Sequence, residues 1–324
     1  MIERLVSIII PIYNGNHYIS SLIIDLNRQT YKTFEVIFID DGSTDGTYQT
    51  LLSEKEKHNN NFNITIIRQK NSGVSVARNK GIREAKGEYL CFIDIDDGLS
   101  ENYLSYMVKA ISENEASLVF CKTSPKYLKK EEVYEVKNIG SSKDTLYRYL
   151  YHELISGACS LLVRNKILTD NNLMFEEGFK YSEDLHMVWR LIAFSNVIVE
   201  LNNKLYIYKN NKSSAMSVFN KERITGILLI GSLSGFFCKK TPDFYQLFKK
   251  YAEARVAWSV LCQAAYFLNY SEFKDYIDSY NYIEACKLLF DYPQKYVALS
   301  SRIFICNKLL FYLIIKNLYI IKKV

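Results

Sequence analysis

Short apolar runs alternate with segments of helical periodicity along the first half of the chain. The apolar runs are nearly continuous and rich in Ile, Val and Phe, as in strands that are buried on both faces of a parallel sheet. They cover residues 5–12, 34–40, 63–68, 89–94 and 117–121, and helical spacing occurs in residues 17–29, 47–59, 74–86 and 102–114. This alternation predicts an α/β fold with a mostly parallel sheet flanked by helices.

The pattern becomes less regular in the second half. Two further apolar runs and a helical segment between them lie at residues 159–164, 196–202 and 182–194. Beyond Asn220 the chain shows no strand pattern, and its spacing is that of helices. We therefore expect two domains, an α/β domain at residues 1–219 and a smaller helical domain at residues 220–324.

Polar residues follow three of the predicted strands at the point where each strand ends. The first strand ends in PIYN (11–14), the second runs into DDGSTDGT (40–47), and the fourth into DIDDG (94–98). Each cluster by itself could be a simple turn or helix start, because Asp, Gly and Ser are common in both. Ligands of open α/β sheets bind beyond the carboxyl ends of the strands. Three clusters that converge on one edge therefore indicate a ligand site.

Three aspartates, Asp94, Asp96 and Asp97, are crowded at the end of the fourth apolar run. Carboxylates so close together repel one another and are costly to remove from water, so something has to compensate their charge. Solvent, a divalent cation, or a phosphate chemistry in which one aspartate is the nucleophile would each do so. The residues alone leave these three possibilities open.

Two stretches of the sequence resemble the family 2 glycosyltransferases with the GT-A fold. They are SIIIPIYNGNHYISSLIIDLNRQTYKTFEVIFIDDGSTDGT (7–47) and NSGVSVARNKGIREAKGEYLCFIDIDD (71–97). The resemblance is strong over residues 5–125 and continues weakly to residue 217. It implies that residues 1–219 are a GT-A nucleotide-sugar-binding domain of an inverting, bacterial surface-polysaccharide enzyme. Such an enzyme would transfer a hexose or N-acetylhexosamine from a UDP-sugar to a glycan acceptor, which we expect to be lipid-linked, as in capsule biosynthesis.

The resemblance also assigns the contacts to the nucleotide sugar. The residues that it implies are Pro11, Tyr13, Asn14, Asp41, Arg78, Asp94 and Ile95. The backbone near Pro11 and the ring of Tyr13 would lie against the base, and Asp41 would accept from a uracil-type imide N–H. A carboxylate prefers uracil to cytosine because it only accepts hydrogen bonds, whereas N3 of cytosine is itself an acceptor. Arg78 would contact the diphosphate or hold Asp94.

The triplet Asp94-Ile95-Asp96 resembles the DxD motif of this family. The resemblance makes Asp96 a ligand of Mn2+ or Mg2+, and Asp94 would reach the ribose or the metal through its bound water. A hard cation neutralises a diphosphate leaving group and prefers carboxylate, phosphate and water oxygens. Asp97 is the alternative to Asp96, acting through a water molecule.

An acidic pair precedes a predicted helix in the sequence SED (182–184). A positioned carboxylate is a suitable general base for an acceptor hydroxyl. Ser182 is expected to cap the helix, so that the helix dipole would favour ionised carboxylates by about 0.3–1 kcal/mol. The resemblance makes Asp184 the base and Glu183 its acceptor-site partner or the alternative base.

The resemblance weakens toward its end. Residues 206–217 match only loosely the family's segment that closes over the nucleotide sugar, in which Lys209 or Lys212 would approach the diphosphate. The QxxRW motif of processive membrane synthases is absent from the sequence. Its absence argues against a processive polysaccharide synthase.

The positive charge of the chain is concentrated in its last third. The net charge is +6, and residues 220–324 carry 15 Lys and Arg against 8 Asp and Glu, a balance of +7. Residues 301–324 contain no acidic residue. Anionic lipid attracts such segments at about 1 kcal/mol per charge, so this tail predicts contact with an anionic membrane surface. A core helix or a homo-oligomer contact is the alternative.

Three other features bear on the cellular compartment. The N-terminal sequence turns polar too soon for a signal peptide, and no uncharged apolar run approaches the roughly 20 residues of a membrane span. The seven cysteines form no CxxC pair, which is typical of reduced thiols. We therefore expect a cytoplasmic enzyme that is peripheral on the inner face of the cell membrane if its tail binds lipid, and no nucleic-acid partner.

Two other classes of protein compete with the glycosyltransferase. FIDIDDG echoes the DxDG motif of HAD-type phosphohydrolases, in which Asp94 would be the nucleophile. Against this, Asp97 is inserted before the glycine, and the clusters PIYN and DDGSTDG have no role in such an enzyme. The third class is a catalytically silent binding protein, which would keep the ligand site without the chemistry.

Overall fold

The computed structural model describes residues 4–58, 62–128, 132–209 and 218–321. By their internal contacts these residues divide into two compact units. The first comprises the described residues of 1–145, 155–178 and 183–211, and the second those of 146–154, 179–182 and 212–324. Compact units are not by themselves independently folding domains, so the boundary near Asn220 stays a prediction.

The described part of the first unit contains nine strands and most of seven helices. The strands are β1 (Val6–Ile12), β2 (Phe34–Asp40), β3 (Asn63–Arg68), β4 (Tyr89–Phe92), β5 (Gly98–Leu99), β6 (Leu118–Ser124), β7 (Val136–Ser141), β8 (Leu161–Arg164) and β9 (Val197–Ile207). The helices are α1 (Asn16–Arg28), α2 (Thr47–His58), α3 (Val74–Glu84), α4 (Tyr103–Glu113), α5 (Ser142–Leu150), α6 (Asn165–Asp170) and α7 (Glu183–Phe194). The last residues of α5 belong to the second unit. All the strands and helices that the sequence predicts in the first half are present.

The strands form one mixed sheet. Their order is β3-β2-β1-β4-β8-β6-β9-β5, and β7 also pairs with β9. The pairs β1/β2, β1/β4, β2/β3 and β6/β9 are parallel, and β4/β8, β6/β8, β5/β9 and β7/β9 are antiparallel. The fold class is therefore confirmed: β1 to β4, β6 and β9 run in one direction, and β5, β7 and β8 run in the opposite direction.

The register of the parallel strands brings the predicted polar clusters to one edge. Ile12 at the end of β1 pairs with Asp40 at the end of β2, and Ile9 pairs with Phe92 at the end of β4. Every residue of these three strands is buried. Because the strands run in the same direction, the residues that follow them emerge side by side, as expected.

Helices cover the sheet through apolar side chains at helical spacing. Helix α1 buries Ile19, Leu22, Ile23 and Leu26, which belong to the same core cluster as alternate residues of β1. Each such side chain contributes roughly 1.5–3 kcal/mol when it is fully buried. The layer of helices thus holds in place the strands whose ends carry the polar clusters.

The described part of the second unit is helical. Its helices are α8 (Arg223–Ser232), α9 (Ser234–Lys240), α10 (Pro242–Phe267), α11 (Tyr270–Ile277), α12 (Tyr282–Leu288), α13 (Lys295–Cys306) and α14 (Lys308–Ile321). Pro242 begins the long α10, at a position where its missing N–H costs nothing. Asn269 and Glu272 form a capping box at the start of α11. The helical C-terminal part is thereby confirmed.

The described C-terminal residues of the chain form two short helices, α13 and α14. Helix α14 buries Phe311, Tyr312 and Ile315, whereas Leu310 and Leu313 are each 46% exposed. Across the four described stretches of the chain, no helix combines the length and the apolar character needed to cross a bilayer.

Candidate active site

The end of β1 is tied to the turn that follows β2. The backbone N–H of Asn14 donates to Ser43 Oγ at 2.9 Å, and Asn14 Oδ1 accepts from the N–H of Thr44 at 2.8 Å. Asn14 has a φ of +51°, a left-handed conformation that asparagine tolerates better than most residues. Pro11 is buried within β1, while the ring of Tyr13 is 56% exposed. Tyr13 therefore offers an aromatic surface at this edge.

The aspartate that ends β2 and the one directly after it have different environments. Asp41 is buried, and it accepts hydrogen bonds from the N–H groups of Ser72 (2.9 Å) and Gly73 (2.8 Å) and from the Gln69 amide (2.8 Å). A carboxylate has about four acceptor positions, so three donors leave room for one more. Asp40 instead accepts from Ser43 N–H and lies 3.1 Å from Arg68 Nε.

Arg68 is a residue that the sequence reasoning missed. It ends β3 at the same edge, donates to the carbonyl of Ser43 at 3.0 Å, and lies 5.0 Å from the centre of the Tyr48 ring. The signal was available, because a basic residue closes the third apolar run next to two polar clusters. The Arg68 side chain stabilises the turn after β2 in two ways, through its ion pair with Asp40 and through its hydrogen bond to the backbone carbonyl of Ser43.

Arg78 of α3 joins the two acidic motifs. Its Nη2 lies 2.9 Å from Asp94 Oδ1 and its Nη1 lies 3.2 Å from Glu183 Oε1. The guanidinium is buried and stacks 5.1 Å from the centre of the Phe175 ring. Burial alone would lower the pKa of Arg78, but the negative charges around it, that of Asp94 first, raise the pKa instead. Of the two contacts that the sequence left open for Arg78, the structure shows the one to Asp94.

Asn79 is a second residue that the sequence reasoning missed. Its amide donates to the carbonyl of Phe175 at 2.9 Å and accepts from the N–H of Phe175 at 2.7 Å. Asn79 is 1% exposed, so both bonds are shielded from water. The pair fixes the Phe175 ring against Arg78. No local signal in the sequence points to a partner so distant along the chain.

The turn after β4 carries the three crowded aspartates. Strand β4 ends at Phe92, two residues earlier than predicted, so that Asp94, Ile95 and Asp96 lie in the turn itself. The side chain of Asp94 is 38% exposed, and Asp96 is also partly exposed. Ile95 packs on the core, and a Cβ at Gly15 would come within 3.1 Å of it. The glycine thus permits the close approach of the loops after β1 and β4.

Asp97 is buried, unlike the other two aspartates. It is 3% exposed, its Oδ2 accepts from Tyr206 Oη at 2.6 Å, and its Oδ1 accepts from the N–H of Lys209 at 3.0 Å. Burial, followed by the charges of Asp94 and Asp96, raises the pKa of Asp97 to about 7 although its two hydrogen bonds lower it. With both oxygens engaged, Asp97 is a poor substitute for Asp96 as a ligand.

Glu183 and Asp184 occupy the first turn of α7, as predicted. Glu183 is buried and held by Arg78, whereas Asp184 is partly exposed. Gly157 leaves room for the Asp184 side chain, because a Cβ at residue 157 would lie 3.1 Å from Asp184 Oδ2. Ser182 precedes the helix with a φ of +64°, which serine rarely adopts and which costs of order 1–3 kcal/mol.

Burial shifts the acidity of this pair in the direction opposite to the helix dipole. Burial and then the neighbouring Asp184 raise the pKa of Glu183 to about 7, and burial also raises the pKa of Asp184. The desolvation of two adjacent carboxyl groups outweighs the small effect of the helix dipole.

The residues at this edge fit a cation that is held largely by a phosphate and water. Among the residues that the structure describes, no three His, Cys, Asp or Glu side chains are grouped so as to hold a metal ion. Mg2+ and similar ions commonly take only one or two protein carboxylates together with substrate phosphates. Asp94 and Asp96 could supply that many. Lys209 Nζ lies near, at 3.3 Å from the carbonyl oxygen of Asp97, while Lys212 lies outside the described residues.

Comparison with known proteins shows the family to which the chain belongs. The sequence profile described as Glycosyl transferase family 2 matches residues 7–169, half of the chain. An uncharacterized glycosyltransferase of Rickettsia typhi is 34% identical over 199 residues, which is 60% of either chain. Poly(ribitol-phosphate) beta-N-acetylglucosaminyltransferase TarS of Staphylococcus aureus is 29% identical over 215 residues, or 64% of this chain and 35% of TarS. The chain spans between 33% and 60% of the length of three curated glycosyltransferases that it matches.

Two solved structures show the same fold. Residues 1–349 of TarS in complex with UDP-GlcNAc match with a TM-score of 0.65 at 20% identity, over 98% of this chain and 91% of that one. The mannosyltransferase PcManGT of Pyrobaculum calidifontis, in complex with GDP-Man and Mn2+, matches with a TM-score of 0.57 at 16% identity, over 94% and 87%. The fold is therefore GT-A.

Proposed function

Because the chain belongs to glycosyl transferase family 2, we propose that it transfers a hexose or N-acetylhexosamine from a UDP-sugar to a glycan acceptor. One observation carries the proposal beyond the family. Buried Arg78 binds Asp94 at 2.9 Å and Glu183 at 3.2 Å, and so joins the motif suited to a donor with the motif suited to a base. A transfer reaction needs those two parts within reach of one another.

The donor half of the site suits a uridine nucleotide. The exposed ring of Tyr13 can stack on a base, and Asp41 has an acceptor position left for an imide N–H. The backbone near Pro11 would also lie against the base, Asn14 shapes the loop after β1, and Ile95 would support the turn that faces the phosphates. The TarS complex with UDP-GlcNAc supports UDP as the nucleotide, while the choice of sugar stays open between hexose and N-acetylhexosamine.

We assign the metal site to Asp96 with Asp94, and the ion to Mn2+ or Mg2+. When bound, the ion neutralises the charge that develops on the diphosphate leaving group. The two aspartates are the partly exposed carboxylates of the turn, and the Mn2+ in the PcManGT complex supports such an ion in this fold. The part of Arg78 is to hold the Asp94 carboxylate in place.

We assign the general base to Asp184. It is more exposed than Glu183, and it is not held by Arg78 in an ion pair, so it is the better placed to accept a proton from an acceptor hydroxyl. Glu183 then orients Arg78 and shares the negative charge of the two adjacent carboxyl groups with Asp184. A single base without a protein nucleophile implies one in-line displacement, so an α-linked donor should give a β-linked product.

The acceptor is proposed to be a lipid-linked glycan at an anionic membrane surface, as in bacterial surface polysaccharide assembly. Support comes from exposed leucines in the tail next to basic residues. The leucines are Leu299, Leu309, Leu310 and Leu313, and the basic residues are Lys295, Arg302 and Lys308. Apolar insertion and charge attraction together suit a lipid surface. A contact between copies of the chain is the alternative use of the same leucines.

The two competing functions are weaker. A phosphohydrolase would need Asp94 as its nucleophile, but Arg78 binds that carboxylate and the family match offers no such role. A silent binding protein would bind UDP without turning over any nucleotide sugar.

Isothermal titration calorimetry with UDP, with Mn2+ and without it, tests the donor assignment. We expect UDP to bind and Mn2+ to tighten it, and a panel of UDP- and GDP-sugars then identifies the donor by its metal-dependent hydrolysis. Absence of UDP binding under both conditions would overturn the proposal, and binding without any hydrolysis or transfer would favour the silent protein.

A further inference from the structure

A buried tyrosine connects the last strand of the sheet to the aspartate turn. Tyr206 lies in β9 opposite Leu99 of β5, and it is 2% exposed. Its hydroxyl donates to Asp97 Oδ2 at 2.6 Å and accepts from the backbone N–H of Asp94 at 3.3 Å. One hydroxyl thus contacts both ends of the turn that carries Asp94 and Asp96.

A second set of contacts joins the same turn to Lys209. The backbone N–H of Lys209 donates to Asp97 Oδ1 at 3.0 Å, and its Nζ donates to the carbonyl oxygen of Asp97 at 3.3 Å. Together with Tyr206, four hydrogen bonds run between the turn and the end of β9. A bond from the N–H of Asp97 to the carbonyl of Asp94, at 3.2 Å, closes the turn itself.

The burial of these groups is costly unless they are bonded in this way. A carboxylate that is 3% exposed loses its hydration, and such a group persists in a protein when hydrogen bonds replace the lost water. A phenylalanine and an apolar side chain would fill the same space without that cost. The polar pair therefore has a purpose other than packing.

We propose that Tyr206 and Asp97 are positioning residues, which hold the turn so that Asp94 and Asp96 together bind the metal and diphosphate of the donor. The inference rests on the proposed function. Strand β4 ends at Phe92, so the regular ladder that holds β4 to β1 stops before these aspartates. Sites that bind a cation and a phosphate at once tolerate little displacement of their ligands, and supporting hydrogen bonds supply the necessary order.

Tyr206→Phe in the full chain tests the inference, because it removes only the shared hydroxyl. Tyr31→Phe is the matched control, since its hydroxyl also bridges backbone groups, accepting from Arg4 N–H at 3.0 Å and donating to Arg4 carbonyl at 2.6 Å. Calorimetry with UDP is run in Mn2+ and in EDTA. For Tyr206→Phe we expect UDP affinity in Mn2+ to fall about tenfold or more, while affinity in EDTA stays within about twofold of wild type.

A merely structural role for Tyr206 would weaken UDP binding equally in Mn2+ and in EDTA, or would lower only the thermal midpoint. Tyr31→Phe should leave both affinities unchanged. Equal behaviour of the two variants, with wild type binding UDP and Mn2+ normally, overturns the inference but leaves the proposed function standing. A wild-type chain that binds no UDP in either condition overturns both.

Asp97→Asn and Asp97→Ala keep the test decisive if Tyr206→Phe does not fold. Asparagine retains one acceptor for the N–H of Lys209 and can still bond to Tyr206, so we expect it to keep most of the Mn2+-dependent affinity. Alanine removes both bonds and should lose that affinity to the same extent as Tyr206→Phe. Equal affinities for the asparagine and alanine variants, both folded by circular dichroism, would contradict the positioning role.

Discussion

Arg78 Nη1 lies 3.2 Å from Glu183 Oε1, across 105 positions of the chain, while its Nη2 holds Asp94. A single buried guanidinium therefore links the carboxylate at the end of the fourth strand to the carboxylate at the start of α7. The buried carboxylate of Glu183 would be unfavourable without a cation beside it. The relative position of the proposed donor site, at Asp94, and the proposed acceptor site, at Glu183, thus depends on Arg78.

Arg78→Lys should separate charge from geometry. Lysine keeps the charge but has no planar fork, so it cannot hold Asp94 and Glu183 at once. We expect kcat/KM for sugar transfer to fall about 100-fold or more, with a loss of stability of about 1–3 kcal/mol. Steady-state kinetics and urea unfolding measure the two effects.

Arg83→Lys is the control for that substitution, because Arg83 lies on the exposed side of the same helix. It should leave kinetics and stability near wild type. Full activity of Arg78→Lys would show that the double contact is dispensable.

Asp96→Asn should remove the metal-dependent part of donor binding. The amide keeps the size of the side chain but loses the charge that attracts a hard cation. We expect sugar transfer to become undetectable while the thermal midpoint stays within a few degrees. Asp170→Asn, at an exposed position of α6, is the matched control. Transfer near the wild-type rate that still requires Mn2+ would exclude Asp96 as a ligand.

Asp184→Asn should abolish the proton acceptor and spare the donor site. We expect the transfer rate to fall by about 10²–10⁴-fold, with UDP affinity changed less than about twofold. Calorimetry with UDP measures the affinity, and single-turnover kinetics measure the transfer rate. An equal loss of both would point to a structural role for Asp184, and a larger rate loss in Glu183→Gln would make Glu183 the base.

The acidity of the Glu183–Asp184 pair predicts a pH profile. Because burial raises the pKa of Glu183 to about 7 and also raises that of Asp184, the pair takes up a proton as the pH falls through neutrality. A protonated Asp184 cannot accept a proton, and burial raises its pKa, so the transfer rate should fall as the pH is lowered. The residual rate of Asp184→Asn should lose this dependence. A wild-type rate that is constant from pH 5 to 8 would contradict the assignment.

The same shift has a consequence for stability. Glu183 binds its proton more tightly in the folded chain, with a pKa of about 7, than at the ordinary value of 4.5. The folded state therefore carries more protons between these values, and its stability should decrease as the pH rises from about 4.5 to about 7. Glu183→Gln should remove that part of the pH dependence of unfolding.

Membrane contact should depend on the exposed leucines of α14. Truncation is unsuitable, because Phe311 and Ile315 of this helix are buried. Replacement of Leu310 and Leu313 by Asp should instead abolish co-sedimentation with anionic vesicles at low salt, with Leu228→Asp, an exposed leucine of α8, as the control. If the wild-type chain ignores anionic vesicles at low salt, the membrane proposal is wrong, and sedimentation equilibrium then tests a contact between copies.

The sequence alone determined the parts of the protein that depend on local pattern. The apolar runs predicted β1 to β4 and β6, their common edge, and the polar clusters beyond it, because a strand's side chains and the turn after it are encoded by neighbouring residues. The order and spacing of those clusters also identified the family. The apolar runs at residues 159–164 and 196–202 likewise coincide with β8 and β9, whereas the short β5 and β7 lie outside every predicted run.

Only the tertiary structure decided which side chains act together. The contact of Arg78 with Glu183, the bond of Asn79 to Phe175, and the link of Tyr206 to Asp97 join residues about 100 positions apart. Burial, which no local pattern measures, turned Asp97 inward and raised the pKa of Glu183. Desolvation depends on everything that packs around a group, and so the ionisation of this site follows from the fold and not from the motif that carries it.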